Sequence, residues 1–165
     1  MAYFTQEEFT VLYEKFVSTV YKICFMYFKN SSETEDAVQN TFLKLFKQDK
    51  EQFKSDEHIK AWLIVTCKNE CKNALTHWFR SKRNDLPEGD EALGSYTQNI
   101  LSTEVSDALS RLPDKYKIPV YLYYYEGYKT DEIAAILKIN HSTLRTNLAK
   151  AREILKDVLE EGSNE

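Results

Sequence analysis

The sequence is poor in the residues that interrupt regular structure, with only 4 glycines and 3 prolines in 165 residues, whereas 42% of its residues are hydrophobic. This composition excludes a disordered chain and favours a folded, helix-rich protein of one domain or two small ones. No apolar run approaches the roughly 20 residues that a membrane-spanning helix requires, and the N-terminus lacks the charged-then-apolar pattern of a signal peptide. We therefore expect a cytoplasmic protein that is not itself a membrane protein.

Cysteine and catalytic motifs are scarce as well. Cys24, Cys67 and Cys71 are an odd number without a disulfide framework, so we expect reduced thiols. A metal site built from Cys67, Cys71 and His77 would match no common zinc spacing and would lack a fourth ligand. The chain has no glycine-rich phosphate loop, and none of its 3 histidines pairs with a nucleophile or carboxylate motif. We expect no metal, no cofactor and no small-molecule substrate, and an enzyme is the least favoured class.

Positive charge is not in excess, since the formal net charge is -4, but the charges are unevenly distributed. Segment 60–83 carries six basic residues against Glu70 alone, a local balance of +5. Segment 84–107 has no lysine or arginine and six acidic residues. A basic face therefore precedes an acidic connector, and the basic face is suited to phosphates or, equally, to keeping a helix solvated.

The first half of the chain shows three helical patterns. Thr5 and Glu8 form a capping box before apolar residues at intervals of three or four up to Tyr27. Ser32 and Glu35 suggest a second capping box, and the helix that follows to about Gln48 has an apolar stripe at Val38, Phe42, Leu45 and Phe46. After a polar loop, a third long helix begins at about Asp56, with an apolar stripe at Ile59, Leu63, Cys67, Cys71, Ala74, Leu75 and Trp78.

Residues 84–102 lose this periodicity and collect proline, glycine and acidic groups, which is typical of a flexible connector. A second helical lobe follows, with a short helix through Val105, Ala108, Leu109 and Leu112 that Pro113 ends. The next helix is apolar and aromatic, and Pro119 predicts that it starts late or bends there. We expect the tyrosines at 123–125 to pack in the core or at an interface.

The segment from Gly127 to Leu155 predicts two helices around a three-residue turn, which is the pattern of a helix-turn-helix. Thr130 is the expected cap of the first helix, and Ile139 fills the gap between the two helices. The second helix buries Leu144, Leu148, Ala151 and Leu155. Its outward side chains can contact base edges and phosphates in a major groove: Ser142, Thr143, Arg145, Thr146, Ala149, Lys150 and Arg152. A helical hairpin with a solvated basic face is the alternative.

Two separate segments, in one order and joined by an acidic linker, resemble the bacterial extracytoplasmic-function (ECF) sigma factors over nearly the whole chain. In the first lobe, ETEDAVQNTFLKLFK is similar to the family's polymerase-docking helix, and HIKAWLIVTCKNECKNAL is similar to its promoter-melting helix. In the second lobe, LSRLPDKYKIPVYLYYYEGYKTDEIAAIL and STLRTNLAKAR are similar to its second conserved domain.

The resemblance implies an all-α protein of two small helical domains joined by a flexible acidic linker, the second containing the helix-turn-helix. It implies a region 2 domain at residues 1–83, the linker at 84–102, where negative charge could mimic RNA in the polymerase channels, and a region 4 domain at 103–165. Implied partners are core RNA polymerase, promoter DNA and an anti-sigma factor. The implied polymerase-binding residues are Asp36, Gln39, Phe42, as an exposed apolar anchor, and Leu43. Those implied for melted DNA, with a pocket for a flipped base near Phe53 and Asn69, are Phe53, Trp62, Asn69, Lys72 and Asn73.

The sequence departs from the family pattern at several positions. Lys138 stands where the family has glycine in the turn, and a lysine is penalised if the backbone there is left-handed, so we expect a locally altered turn. Asn147 replaces a common arginine, and Val65 lies near the position of another. These changes bear on which promoter is read. The main competing hypothesis is a free-standing helix-turn-helix regulator that binds duplex DNA without polymerase.

Overall fold

The computed structural model describes residues 1–81 and 103–163, and side-chain environments at 1–80 and 107–158. Every regular element in these residues is helical, so the prediction of an all-α protein is confirmed. The chain divides into two compact units, Met1–Ile100 and Leu101–Glu165. The predicted acidic linker at 84–102 lies outside the described residues.

In its described residues, 1–81, the first unit has three α-helices that pack against one another in all three pairs: α1 (Gln6–Phe28), α2 (Ser31–Phe46) and α3 (Asp56–Ser81). A short 3-10 helix, Lys50–Gln52, lies in the polar loop between α2 and α3. Apolar residues spaced three or four apart give each helix one buried face. The core side chains with no or almost no exposed surface are Val20, Ile23, Cys24, Met26, Leu45, Leu63, Ile64, Cys67 and Cys71.

Capping decides where the first two helices begin. At α1 the predicted capping box is present, because Glu8 N donates to Thr5 Oγ1 at 3.1 Å and Thr5 N donates to Glu8 Oε2 at 2.8 Å. At α2 the predicted box of Ser32 and Glu35 is wrong. Asn30 has an extended backbone and its side-chain oxygen accepts from Glu33 N at 2.8 Å, so α2 starts at Ser31.

The edges of the apolar stripes differ from the prediction at two positions. Phe46, expected in the core, is 43% exposed, and Ala74 is exposed as well. The Phe46 ring packs edge-on against Phe9 of α1, with centroids 5.1 Å apart, and its other side is open. Periodicity marked the correct side of each helix, but it did not show how completely the neighbouring helices cover each position on that side.

The N-terminal segment fixes the loop before α3. Ala2 N donates to Asp49 Oδ1 at 3.2 Å, and Lys50 N donates to Ala2 O at 2.8 Å. Phe4 is buried, and its ring centroid lies 6.1 Å from that of Phe53. Phe53 is thereby held beside the start of α3.

Between residues 103 and 163, the part that the structure describes, the second unit has four helices: α4 (Thr103–Arg111), α5 (Asp114–Tyr124), α6 (Thr130–Leu137) and α7 (His141–Ser163). The longest, α7, packs against each of the other three. Ala108, Leu109 and Leu112 are buried as predicted, whereas the side chain of Val105 lies outside the described residues. The unit therefore forms its core around the inner face of α7.

Two predictions about α5 are corrected in part. The helix starts at Asp114, directly after Pro113, and it continues through Pro119, so a late start is wrong, whereas a bend at Pro119 stays a prediction. Ile118, Pro119 and Val120 are all buried, and this burial favours continuing the helix despite the missing amide of the proline. At the end of the helix Tyr124 and Tyr125 are 52% and 45% exposed, so they do not belong to the core, and packing at an interface stays a prediction.

Candidate functional site

An exposed stripe runs along α2. Asp36, Gln39 and Leu43 follow the helical spacing i, i+3 and i+7, and all three are exposed, with Leu43 at 49%. Phe42 is only 2% exposed, so the expectation that it forms an exposed apolar anchor is wrong. Its ring packs in an edge arrangement against Tyr13 of α1, with centroids 4.8 Å apart.

Phe46 extends this stripe and was missed by the sequence prediction. It lies at i+10 from Asp36, which places it on the same side of the helix. Beside the stripe, an open groove of about 570 Å³ lies between α1 and α2 and is lined in part by Tyr13, Val17, Gln39 and Leu43. The apolar surface on this side of the unit is thus supplied by Leu43, Phe46 and the groove.

The opposite side of α2 is anchored to the rest of the unit. Thr34, Thr41 and Leu45 are buried, and Thr41 Oγ1 donates to Ala37 O at 2.7 Å. Lys44 forms an ion pair with Glu70 of α3. These contacts set the rotation of α2 and therefore decide which residues form the exposed stripe.

A second surface is formed by α3. Trp62, Asn69 and Asn73 lie at i, i+7 and i+11, so they share one side of the helix; Asn69 and Asn73 are exposed, and Trp62 is half-buried. Lys72 is exposed on the flank of this side. Because a helix rises about 1.5 Å per residue, Asn69 lies about 10 Å along the axis from Trp62.

Phe53 belongs to an aromatic cluster at the beginning of this surface. Its ring centroid lies 5.8 Å from that of Trp62 and 5.3 Å from that of His58. Lys54 N donates to His58 Nδ1 at 3.2 Å, which helps to hold the loop. The structure thus places Phe53 next to Trp62 and places Asn69 two turns further along the same side of α3. The flipped-base pocket itself stays a prediction.

The basic side of α3 is described only in part. Lys72 and Arg80 are exposed, and Lys68 is half-buried. Lys82 and Arg83 lie outside the described residues. Lys72 and Arg80 are thus the exposed cations of α3 in the described residues, and both lie C-terminal to Trp62.

The helix-turn-helix has the predicted three-residue turn, at 138–140. Lys138 takes up a left-handed backbone, with φ 56° and ψ 48°, and Ile139 N donates to Ala134 O at 3.1 Å. Lysine therefore occupies the strained left-handed position and the turn keeps its usual form, so the expectation of an altered turn is wrong. Gly127 also has a positive φ of 73°, which suits its place before α6.

Thr130 has a different role from the one predicted. It is the first residue of α6 instead of its cap, and its Oγ1 is hydrogen-bonded to His141 Nε2 at 2.8 Å. Glu132 accepts from Lys129 N at 2.9 Å and so satisfies one amide at this helix end. The hydrogen bond between Thr130 and His141 links the first turns of α6 and α7.

The second helix of the motif has the predicted division into two faces. Leu144, Leu148 and Ala151 are buried, whereas Leu155 is half-buried. The predicted DNA-binding residues are all exposed: Ser142, Thr143, Arg145, Thr146, Lys150 and Arg152. Asn147 is half-buried at the edge of this face. Arg152 differs from the others because its Nε donates to Tyr124 Oη of α5 at 2.7 Å.

The three cysteines are free and buried in the core of the first unit, where Cys67 Sγ of α3 donates to Ile64 O at 3.3 Å. Burial raises the pKa of the Cys67 thiol well above its usual value. In the described part of the chain, no group of three or more His, Cys, Asp or Glu residues is placed to hold a metal ion. The cysteines therefore act there as packed apolar side chains.

The helix-turn-helix of the second unit, with one side of its second helix buried and the other exposed, is the architecture of a DNA-binding protein. Comparison with protein families gives two matches, the Sigma-70 region 2 model at residues 12–83 and the Sigma-70 region 4 model at residues 102–155. The chain belongs to the sigma-70 family and is an ECF sigma factor. Sigma factors are transcription initiation factors that bind core RNA polymerase and promoter DNA, and this assignment disfavours a free-standing regulator.

Individual relatives agree with the family. The chain is 26% identical to the ECF RNA polymerase sigma factor SigM of Bacillus subtilis, over 93% of this chain and 96% of that protein. It is 24% identical to SigW of the same organism, over 93% and 90%. Among solved structures, the sigma factor RpoE in complex with the anti-sigma factor NepR from Bartonella quintana matches with a TM-score of 0.76, 19% identity and coverage of 93% and 98%. This last likeness supports the fold.

None of the helices in the described residues combines the length and the apolar character that crossing a bilayer requires.

Proposed function

We propose that the two units of this ECF sigma factor bind different partners during transcription initiation. Residues 1–83 dock on core RNA polymerase and hold melted DNA, residues 84–102 connect, and residues 103–165 read the upstream promoter element. The observation that supports this proposal is common to both units: each buries one side of a helix in its core and exposes the other side. The exposed side of α2 is polar and partly apolar, and the exposed sides of α3 and α7 are polar and basic. We place this activity in the cytoplasm, where polymerase and promoter DNA are found.

Docking on polymerase is assigned to the exposed stripe of α2. Asp36 and Gln39 supply a charge and an amide for orientation, while Leu43 and Phe46 supply apolar surface that is open to a partner. Protein interfaces commonly combine such a desolvated apolar centre with polar groups around it. Phe42 contributes indirectly, because its buried ring supports the stripe from beneath.

The docking assignment is tested by size-exclusion binding to bacterial core RNA polymerase. The wild-type chain should co-elute stoichiometrically, and Asp36→Arg and Leu43→Ser should each weaken binding by about tenfold or more, since one reverses a charge and the other removes an apolar contact at an interface. Glu57→Arg, a charge reversal of the same kind at an exposed position of α3, is the matched control and should bind normally. Normal binding by both α2 variants would remove the docking assignment.

Melted promoter DNA is assigned to the exposed side of α3. Asn69 and Asn73 carry both a donor and an acceptor for base edges, and Lys72 offers a cation for the phosphates. Trp62 and Phe53 form an aromatic surface against which an unstacked base can lie. Binding to the separated strand offsets the cost of unpairing, so no hydrolysis is required.

This assignment predicts a specific defect in strand opening. Asn69→Ala should reduce permanganate reactivity of the opened promoter in a holoenzyme complex while leaving binding to polymerase intact. Ser18→Ala, which removes an exposed uncharged polar group from α1, away from both proposed binding surfaces, is the control. Equal strand opening by Asn69→Ala and wild type would contradict the assignment.

Recognition of upstream duplex DNA is assigned to the exposed face of α7. Ser142, Thr143 and Thr146 are small enough for the helix to lie deep in a major groove, and Arg145 can donate two hydrogen bonds to one guanine. Lys150 and Arg152 lie further along the helix, where they can reach phosphates. Because Leu144, Leu148 and Ala151 are buried on the other side, this face is fixed outward.

The upstream assignment is tested with holoenzyme on a duplex enriched from a random pool by the wild-type protein. Arg145→Ala should weaken recognition by about 1–3 kcal/mol, the cost of one lost bidentate base contact, and should leave affinity for core polymerase unchanged. Arg111→Ala, another exposed arginine of the second unit, should retain binding. Equal loss of polymerase affinity in Arg145→Ala would refute this division of work.

An anti-sigma partner completes the proposal. The RpoE neighbour is seen in complex with the anti-sigma factor NepR, and this chain has exposed apolar side chains of the kind that such a partner would cover. A partner of this kind should compete with core polymerase for the α2 stripe. Simultaneous binding of both to one chain would contradict competition at that stripe.

A further inference from the structure

The side chain of Arg152 is exposed but held by another helix. Its Nε donates to Tyr124 Oη at 2.7 Å, and its Cζ lies 5.8 Å and 5.9 Å from the ring centroids of Tyr123 and Tyr124. The hydrogen bond is short and charge-assisted, and both rings lie within the range of cation–π attraction. The end of α5 therefore restricts a side chain that would otherwise sample many rotamers.

The position of Arg152 on α7 places it on the proposed DNA-binding face. Ser142, Arg145, Ala149 and Arg152 recur at i, i+3, i+7 and i+10, so they form one stripe along the helix, and all four are exposed. Arg152 lies about 15 Å along the axis from Ser142, because each residue adds about 1.5 Å. In helix-turn-helix docking the start of this helix contacts bases, and positions further along approach the DNA backbone.

The geometry leaves the binding end of Arg152 available. A guanidinium has five N–H donors, and the hydrogen bond to Tyr124 uses the one on Nε. The four donors on the two Nη atoms remain as a fork that matches phosphate oxygens. A side chain held in this way loses less rotamer freedom when it binds than a free one does.

We propose that Tyr124 is a positioning residue for DNA binding, which holds the Arg152 guanidinium so that its Nη fork meets a backbone phosphate of the upstream duplex. This inference rests on the proposed function of α7. It assigns a role to an exposed tyrosine that lies outside the helix-turn-helix and that the sequence prediction placed in the core or at an interface. Tyr124 acts through Arg152 and contributes no base reading of its own.

The test measures holoenzyme affinity for the fluorescein-labelled duplex selected by the wild-type protein, between 50 and 300 mM potassium chloride. Arg152→Ala should reduce the slope of log K against log salt by about 0.9, the contribution of one phosphate. Tyr124→Phe keeps the ring and removes the hydroxyl, so it should weaken binding about two- to fivefold, with a smaller loss of slope. The double variant should bind no more weakly than Arg152→Ala alone. Tyr125→Phe is the matched control and should bind as wild type, because the exposed Tyr125 ring stacks on Tyr121, with centroids 5.9 Å apart.

A role in structure alone gives a different result. If Tyr124→Phe lowers the melting temperature without changing affinity or salt slope, or if its effect persists in the Arg152→Ala background, the inference is wrong. If Tyr124→Phe changes neither affinity nor salt slope while Arg145→Ala weakens binding, the inference is rejected and the proposed function is retained. If Arg145→Ala also binds as well as wild type, both are rejected.

Discussion

Replacing Lys138 with glycine is expected to stabilise the helix-turn-helix. Lys138 has φ 56°, and a left-handed backbone costs an L-residue about 1–2 kcal/mol because its Cβ crowds the following carbonyl oxygen. Glycine has no such penalty, but it loses about 0.5–1 kcal/mol more backbone entropy on folding. The difference is a net stabilisation of about 0.5–1 kcal/mol.

The connection between α6 and α7 requires the left-handed backbone at Lys138, so the strain at this residue cannot relax in the folded protein. Only three residues separate α6 from α7, and the hydrogen bond from Ile139 N to Ala134 O closes the end of α6. A right-handed backbone at Lys138 would continue α6 and move Ile139 away from its half-buried position. The expected gain in the glycine variant therefore comes from relief of strain in an unchanged turn.

Native-state hydrogen exchange of the full chain, followed by mass spectrometry, reports this gain locally. Peptides from residues 131–150 should exchange about two- to fivefold more slowly in Lys138→Gly, which corresponds to about 0.5–1 kcal/mol. Lys138→Ala removes the same long side chain but keeps Cβ, so its exchange should match that of wild type. Peptides from the first unit serve as an internal reference. Equal exchange by the glycine and alanine variants would refute the strain argument.

Three further predictions concern the first unit. Phe42→Ala should lower the free energy of unfolding by about 3–5 kcal/mol in urea denaturation, because the ring is buried; a change below about 0.5 kcal/mol would instead indicate a surface residue. Hydrogen bonds from the amides of Glu51 and Ala2 lower the pKa of Asp49 below its ordinary 3.8, so the tether of the N-terminal segment should be complete above that pH and lost as the pH falls through the lowered value. The Ala2 amide resonance should follow this transition in wild type, and a transition that persists in Asp49→Asn would exclude Asp49 as its source. Since all 3 cysteines are buried, Ellman's reagent should react slowly with the native chain but should label all 3 in denaturant, and rapid native labelling would contradict this packing.

Much of the fold was predictable because its signals are local. The capping box of Thr5 and Glu8 marks the start of α1, and apolar spacing correctly predicts the buried faces of α1, α3 and α7. The three-residue turn of the helix-turn-helix and the outward face that includes Arg145 follow from the same periodicity. Family resemblance over two ordered segments then indicated the function, which the family comparisons confirm.

The candidate site was less predictable, because the exposure of residues at the edge of a helical stripe depends on how neighbouring helices pack against it. Phe42 and Phe46 both belong to the apolar side of α2, yet α1 covers Phe42 and leaves Phe46 partly open. Local rules alone cannot decide between them, since both residues have the spacing of core positions. The docking surface proposed for α2 consequently includes a residue that the sequence assigned to the core.

The sequence by itself determined the spacing of apolar residues along each helix, the order of the two lobes and the family to which the chain belongs. Tertiary structure alone decided the roles of side chains that contact residues distant in the sequence. The hydroxyl of Thr130 is hydrogen-bonded to His141 instead of capping its own helix, and Arg152 is held by Tyr124 of another helix. Such contacts depend on how helices pack, and a polar side chain near a helix end has several partners of similar energy until packing selects one.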